Sequence, residues 1–200
     1  MCGIWSLFSK NIIRDAFYSA FKKIQSRGPD RSHYIEYNSP YNFCLGFHRL
    51  SIMDPSPKGD QPFVHEYTDN LGVSHTILLI CNGEIYNYKE LSEKYEFILK
   101  SGSDCEILHF MYARFGATEM AKQLLGEYAI IIVDITGSDY TVSAIRDPFG
   151  VRPLFYSVCA EHINFSSELK GLVDLERPDI CVKPLQPGGI VSRSEERRVG

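Results

Sequence analysis

At 200 residues, 44% of them hydrophobic, the chain can core one domain or two small ones. Its net charge of −4 comes from interspersed acidic and basic residues, with no basic stripe carrying aromatics, which argues against a nucleic-acid partner. No apolar run approaches the roughly eighteen residues of a membrane span, and no positive start followed by an apolar core marks a secretory signal.

Taken in chain order, strand and helix patterns alternate. Cys2 stands directly behind the initiator methionine, at the start of a short apolar strand, Ile4 to Phe8. The small side chain at position 2 favours removal of Met1. Cys2 would then carry a thiol and an α-amine that titrates at about pH 8, a nucleophile and a base on one residue. Residues 15–26 place Ala16, Phe17, Ala20, Phe21 and Ile24 on one helical face, stopped by Gly28-Pro29. Residues 43–53 read as an apolar strand interrupted by His48 and Arg49, and 54–63 as a proline-rich loop. Residues 76–81 form a continuous apolar run, a strand buried on both faces. A helix over 87–95 and a short strand, Phe97 to Leu99, follow.

Ser103 to Glu106 has the S-x-x-E spacing of a capping box, opening a helix that ends at Gly116. Residues 128–135 and 140–146 are strands, 147–150 a turn, 153–158 and 162–166 strands again, and Ser167 to Leu175 a last short helix. Consecutive hairpins favour antiparallel pairing in an α+β unit. The last eight residues, RSEERRVG, hold five charges and look like translated sequencing adapter. Residues 1–192 are therefore taken as the domain and 193–200 as a non-native tail.

The six cysteines (Cys2, Cys44, Cys81, Cys105, Cys159, Cys181) show no CxxC and no zinc-type spacing. They read as free thiols of a cytoplasmic protein, and no metal site is expected. Several polar positions stand where burial is expected. Arg49 offers a planar fork suited to a carboxylate, either a ligand's or a structural one. Asn82-Gly83, after the buried strand, is either a type I′ hairpin turn or a pair of oxyanion donors. Asp104, at a helix mouth, either complements the helix dipole or receives a ligand ammonium.

The stretches MCGIW (1–5), RGPD (27–30), GFHRLSIMD (46–54), NGEIYN (82–87), SDCE (103–106) and RDPFGVRPL (146–154) occur in one order over residues 1 to about 191. Together they resemble the class II glutamine amidotransferases, in particular the N-terminal glutaminase domain of asparagine synthetases. The resemblance implies the four-layer αββα sandwich of N-terminal nucleophile hydrolases. It implies that Cys2 attacks glutamine's carboxamide, that Asn82 and Gly83 hold the oxyanion, and that a γ-glutamyl thioester is hydrolysed to glutamate. It casts Arg49 as the partner of the substrate α-carboxylate, and Glu84 and Asp104 as partners of its α-ammonium.

In that family ammonia passes to a second, synthetase domain where ATP and Mg²⁺ activate aspartate. The SGGxDS loop of that domain is absent here, so no cofactor is expected in this chain. A synthetase domain in cis and a homodimer of the full-length enzyme are expected as partners. Cys105 stands where relatives often have threonine or glycine, and the stretch after Gly188 departs from their pattern. Three alternatives remain: a glutaminase serving another acceptor, an amino-acid-binding module, which needs no Cys2, and a structural domain, which needs none of these residues.

Overall fold

The computed structural model describes residues 1–9, 14–38, 41–158, 162–172 and 181–195. The first sheet is built from β1 (Gly3–Ser9), which leads into helix α1 (Arg14–Lys22), and then β2 (Arg31–Tyr37) and β3 (Phe43–Arg49). The second begins with β4 (Phe63–Thr68) and β5 (Ser74–Ile85), followed by helices α2 (Tyr88–Tyr95) and α3 (Ile107–Ala121) and by strands β6 (Gly126–Thr136) and β7 (Asp139–Arg146). The chain then returns with β8 (Phe155–Val158), β9 (His162–Ser166) and β10 (Val182–Pro184), and ends on β11 (Ile190–Glu195). The sheets have the strand orders β10-β8-β9-β1-β3-β2 and β11-β7-β6-β5-β4, and every pairing is antiparallel.

Alternation along the strands produces the layers. In β1, Ile4 and Phe8 face the second sheet, whereas Trp5 and Leu7 face the other way and pack with Phe17, Ala20, Phe21 and Ile24 of the α1 segment. In β5, Leu78 and Ile80 face the first sheet, while Ile77, Leu79 and Cys81 pack on Leu108 and Met111 of α3. Both faces of each central strand are covered, which is why these strands read as unbroken apolar runs. Helix, sheet, sheet and helix form the αββα sandwich that the resemblance implies.

Several element boundaries differ from expectation. β3 stops at Arg49 rather than reaching Met53, because the Arg49 side chain turns onto the carbonyl of Ser56 and the carboxylate of Asp60. Ile52 and Met53 are thereby left at least half exposed. β5 runs four residues past the expected end, so Asn82-Gly83 is strand and not a hairpin turn. Residues 97–99 are not a strand. Glu96 takes a left-handed conformation (φ 58°) that closes α2, with the Phe97 amide on Ser92 O at 2.9 Å.

The capping box is not made: Ser103 gives no side-chain cap. Glu106 instead accepts from the Lys100 and Ser101 amides at 2.8 and 2.7 Å and from the Ser101 hydroxyl at 2.5 Å. Gly116 does break α3 (φ 70°), but helix resumes to Ala121. After Ser167 there is a single 3-10 turn, Leu169–Gly171, with residues 173–175 outside the described set. Strands β2, β4 and β10 went unanticipated. β11 pairs with β7 through Glu195, three residues into the segment set apart as a tail. Residues 196–200 and Cys159 lie outside the described residues.

Candidate active site

Cys2 sits immediately before β1, a central strand of the first sheet, and its position is fixed on several sides. The next residues are tied to the segment after β9: Ile4 N donates to Ser167 Oγ at 3.0 Å, and Ser167 N to Ile4 O at 2.9 Å. The carbonyl of Cys2 accepts from Arg27 Nε at 2.9 Å, and Arg27 is held in turn by Glu168 at 3.3 Å. Arg27 reaches this place because the chain passes directly over β3 at Gly28, where a Cβ would lie 2.2 Å from the His48 carbonyl. The Arg27-Gly28-Pro29 stretch is thus an anchor for Cys2 as well as a helix stop. Its glycine next to an arginine was the one signal of that in the sequence.

The Cys2 sulfur lies 3.4 Å from the Leu50 amide and 3.5 Å from the Leu50 carbonyl. Burial pushes its thiol up from the ordinary range, with the Leu50 amide and nearby positive charge partly offsetting this. Ionisation therefore calls for a base. The cleft around Cys2 is lined by Arg49, Leu50, Asp54, Gln61, Cys81, Gly83, Glu84, Asp104 and Cys105, among others, and by no histidine or lysine among the described residues. His48 is not available either: it stacks on Phe21 at 3.9 Å and donates through Nε2 to Phe21 O, which leaves Nδ1 to accept from Ser32. Met1 itself is more than half exposed.

Facing Cys2 is the end of β5. β4 pairs with β5 only as far as Leu79, and beyond it the open edge is satisfied piecemeal. Gln61 acts as a surrogate strand, receiving the Cys81 amide at 2.6 Å and donating to the Cys81 carbonyl at 3.3 Å. Two pairs of residues on, Ile85 N donates to Asp104 Oδ2 at 2.6 Å. Alternation along a strand puts the Gly83 amide on that same edge, between two satisfied amides. Tyr128, opposite Gly83, accordingly turns its own amide and carbonyl toward Asp147. Only glycine fits at 83, since a Cβ would stand 2.3 Å from the Glu127 carbonyl. Asn82 projects to the other face, toward the space between the sheets where Cys2 packs. It is 1% exposed, and its Nδ2 is a buried donor with no partner among the described residues. Such a group is costly to leave unmade, so it marks a place for an acceptor.

The charged side chains divide into two sets. Arg49 lines the cleft, but its Nη1 is already bound to Asp60 and to Ser56 O at 2.7 Å. Asp60 also takes Arg31 at 2.8 Å. Burial alone would push Asp60 up, yet the Arg31 and Arg49 guanidiniums outweigh it and hold the carboxyl below its usual range. Nε and Nη2 of Arg49 make no bond among the described residues. On the other side, Glu84 lies 3.8 Å from Arg152, which binds Glu127 at 2.5 Å. Asp104 is buried, and that burial raises its carboxyl above the ordinary value, with the Ile85 amide and the Glu84 charge as lesser influences of opposite sign.

Of the six anticipated residues, five line one cleft, whose cavity is about 60 Å³, and Asn82, not among its lining residues, is buried next to Gly83 at the same end of β5. Arg27, Asp60, Gln61 and Arg152, which orient them, were not anticipated. No cluster of three or more metal-ligating side chains occurs among the described residues, and no described helix is long and apolar enough to cross a membrane.

Comparison with known proteins gives one direction. The sequence profile described as "Glutamine amidotransferase domain" matches residues 1–186. Among relatives, the glutamine-hydrolysing asparagine synthetase of Mesocricetus auratus is 36% identical over 194 residues, and that of Homo sapiens 35%. The probable asparagine synthetase of Acanthamoeba polyphaga mimivirus is 40% identical over 193 residues. These alignments cover 93–94% of this chain and 33% of each relative, so the chain spans about a third of their length. Among solved structures, the fold is shared with the allosteric regulatory enzyme of purine biosynthesis (TM-score 0.77, 17% identity) and with the glutamine phosphoribosylpyrophosphate amidotransferase of B. subtilis (TM-score 0.75, 18% identity). Each covers all of this chain and half of the neighbour.

Proposed function

The chain belongs to the glutamine amidotransferase domain family, and from that membership we propose that it hydrolyses the side-chain amide of glutamine, with Cys2 as nucleophile. What supports the residue assignment is an unpartnered buried donor, Asn82 Nδ2, next in the strand to Gly83, whose open-edge position lines the same cleft as Cys2. Two neighbouring donors without an acceptor suit a developing oxyanion, and each contributes about 3–4 kcal/mol in comparable sites. The α-amine of Cys2, freed by loss of Met1, takes the thiol proton and passes it to departing ammonia, leaving a γ-glutamyl thioester for water to cleave.

The cleft's charges suit a zwitterion. The unused edge of Arg49 meets the α-carboxylate while Nη1 stays on Asp60, and Glu84 and Asp104 receive the α-ammonium. Ammonia would serve an accompanying synthetase region that makes asparagine from aspartate. This rests on the names and threefold greater length of the relatives. ATP and Mg²⁺ belong to that region in this reading, and a homodimer to the longer protein. The free thiols Cys2, Cys44, Cys81, Cys105 and Cys181 suit a reducing cytoplasm. The test couples intact-mass measurement of the N-terminus with an ammonia-release assay. Protein lacking Met1 should turn over glutamine, while retained Met1 and the Cys2→Ala variant should both abolish turnover with the fold unchanged. Ammonia release by Cys2→Ala at the parent rate excludes Cys2 as nucleophile.

A further inference from the structure

A second and larger cavity, about 860 Å³, lies on the far side of the cleft wall, between β4, the start of α3 and the segment after α2. That is within the range of about 300–1,000 Å³ usual for small-molecule sites. Its floor is aromatic. His65 stacks on His109 at 4.7 Å and meets Phe110 edge-on at 4.9 Å, and Phe97 stacks on Phe110 at 5.3 Å.

His109 is 5% exposed, and its Nδ1 has no partner among the described residues. Burial, then His65 and Lys100, lower it to about 3, so it offers a neutral hydrogen-bonding edge rather than a charge. Lys58 and Lys100 stand on the rim, and neither ammonium makes an ion pair among the described residues. Of the two carboxylates present, Glu106 is occupied by the Lys100 and Ser101 amides, and Glu96 is exposed.

We propose that this cavity is an effector site for a flat aromatic ligand bearing an anionic group. The ring lies against His65, Phe97 and Phe110, His109 Nδ1 hydrogen-bonds its edge, and the anion meets Lys58 and Lys100. The walls give the site its consequence. Lys58 lines the cavity while the next residue, Gly59, lines the Cys2 cleft. Ser101 lines it while Ser103 and Asp104 line the cleft, and Gly102 between them donates to Asp54 at 2.8 Å. A ligand that braces these two segments from behind also braces the wall facing Cys2.

Indole-3-acetate serves as the probe, with indole-3-acetamide (the ring without the charge) and cyclohexylacetate (the charge without the flat ring) as controls. Calorimetric titration should show saturable 1:1 binding of indole-3-acetate only. Affinity should fall about tenfold when the exposed rim is reversed by Lys58→Glu with Lys100→Glu. At saturation, alkylation of Cys2 by iodoacetamide, followed on its own peptide, should slow about fivefold, the low end of ordinary coupling between sites. Absence of saturable binding, equal binding of either control, indifference to the rim reversal, or an unchanged alkylation rate each overturns the proposal. None of these readouts requires turnover, so the outcome is independent of whether the glutaminase reading holds.

Discussion

The same three strands, β1, β3 and β5, serve two purposes along their length. From their far end to their middle, Phe8, Phe43, Leu45, Leu78 and Ile80 close an apolar core between the sheets. At the other end they present Cys2, Arg49, Asn82 and Gly83, of which Arg49 and Asn82 are buried and Cys2 and Gly83 partly so. The middle is held by apolar contact, which is non-directional and tolerant of detail. The end is held by single directed bonds from side chain to backbone: Arg27 to Cys2 O, Gln61 to Cys81, Asp104 to Ile85. Stability is therefore expected mainly from the middle and, under the proposed reaction, chemistry from the end, so substitutions in the two regions should damage different observables.

The largest effect on stability is expected from Phe165→Ala. Phe165 is fully buried and packs with Phe8 and Tyr156. Emptying that volume should cost about 3–5 kcal/mol, measured by denaturant unfolding, while the folded fraction keeps its kcat. Asn82→Ala should do the reverse. It removes a donor that has no partner, so unfolding should change little while kcat for glutamine falls about 100- to 1,000-fold. If Asn82→Ala instead lowers stability by several kcal/mol at unchanged kcat, the division between the regions fails at this strand.

Arg49→Lys falls between these. The lysine keeps the charge but loses the fork that binds Asp60 and Ser56 with one nitrogen and leaves Nε and Nη2 to the cleft. KM should rise by about tenfold or more with a smaller change in kcat. A loss of stability with normal KM would make Arg49 purely a partner of Asp60.

The same division explains what the sequence could say in advance. The central strands were legible because two buried faces produce apolar runs such as residues 76–81. The three unanticipated strands, β2, β4 and β10, are edges of their sheets. An edge strand such as β2, in which polar and aromatic residues mix and none is fully buried, gives no such run. Cys2, Arg49, Asn82, Gly83, Glu84 and Asp104 were recognisable through motifs, not through spacing, which left Asn82-Gly83 open between turn and strand. Asp60 and Gln61 escaped notice in a proline-rich loop, because nothing local shows that a loop carboxylate will meet Arg49 or that a glutamine will stand in for a strand. The S-x-x-E pattern at Ser103 misled for a related reason: Glu106 found three donors in the preceding loop and did not turn back to its own cap.

The smallest effect, and the finest test, belongs to Asp104. Its carboxyl is raised by burial, despite the Ile85 amide. A group raised on folding favours the folded state while protonated and loses that contribution as pH climbs through its folded pKa. Once ionised, the buried Asp104 therefore weighs against the fold unless a cation arrives. Asp104→Asn keeps an oxygen for the Ile85 amide and removes the charge. The variant should melt slightly higher than the parent at pH 7, and that advantage should shrink as the pH falls through the carboxylate range. Glutamine, through its ammonium, should raise the melting temperature of the parent more than that of the variant. Equal melting temperatures at every pH, with equal response to glutamine, would show that the Asp104 charge neither strains the empty cleft nor meets the substrate.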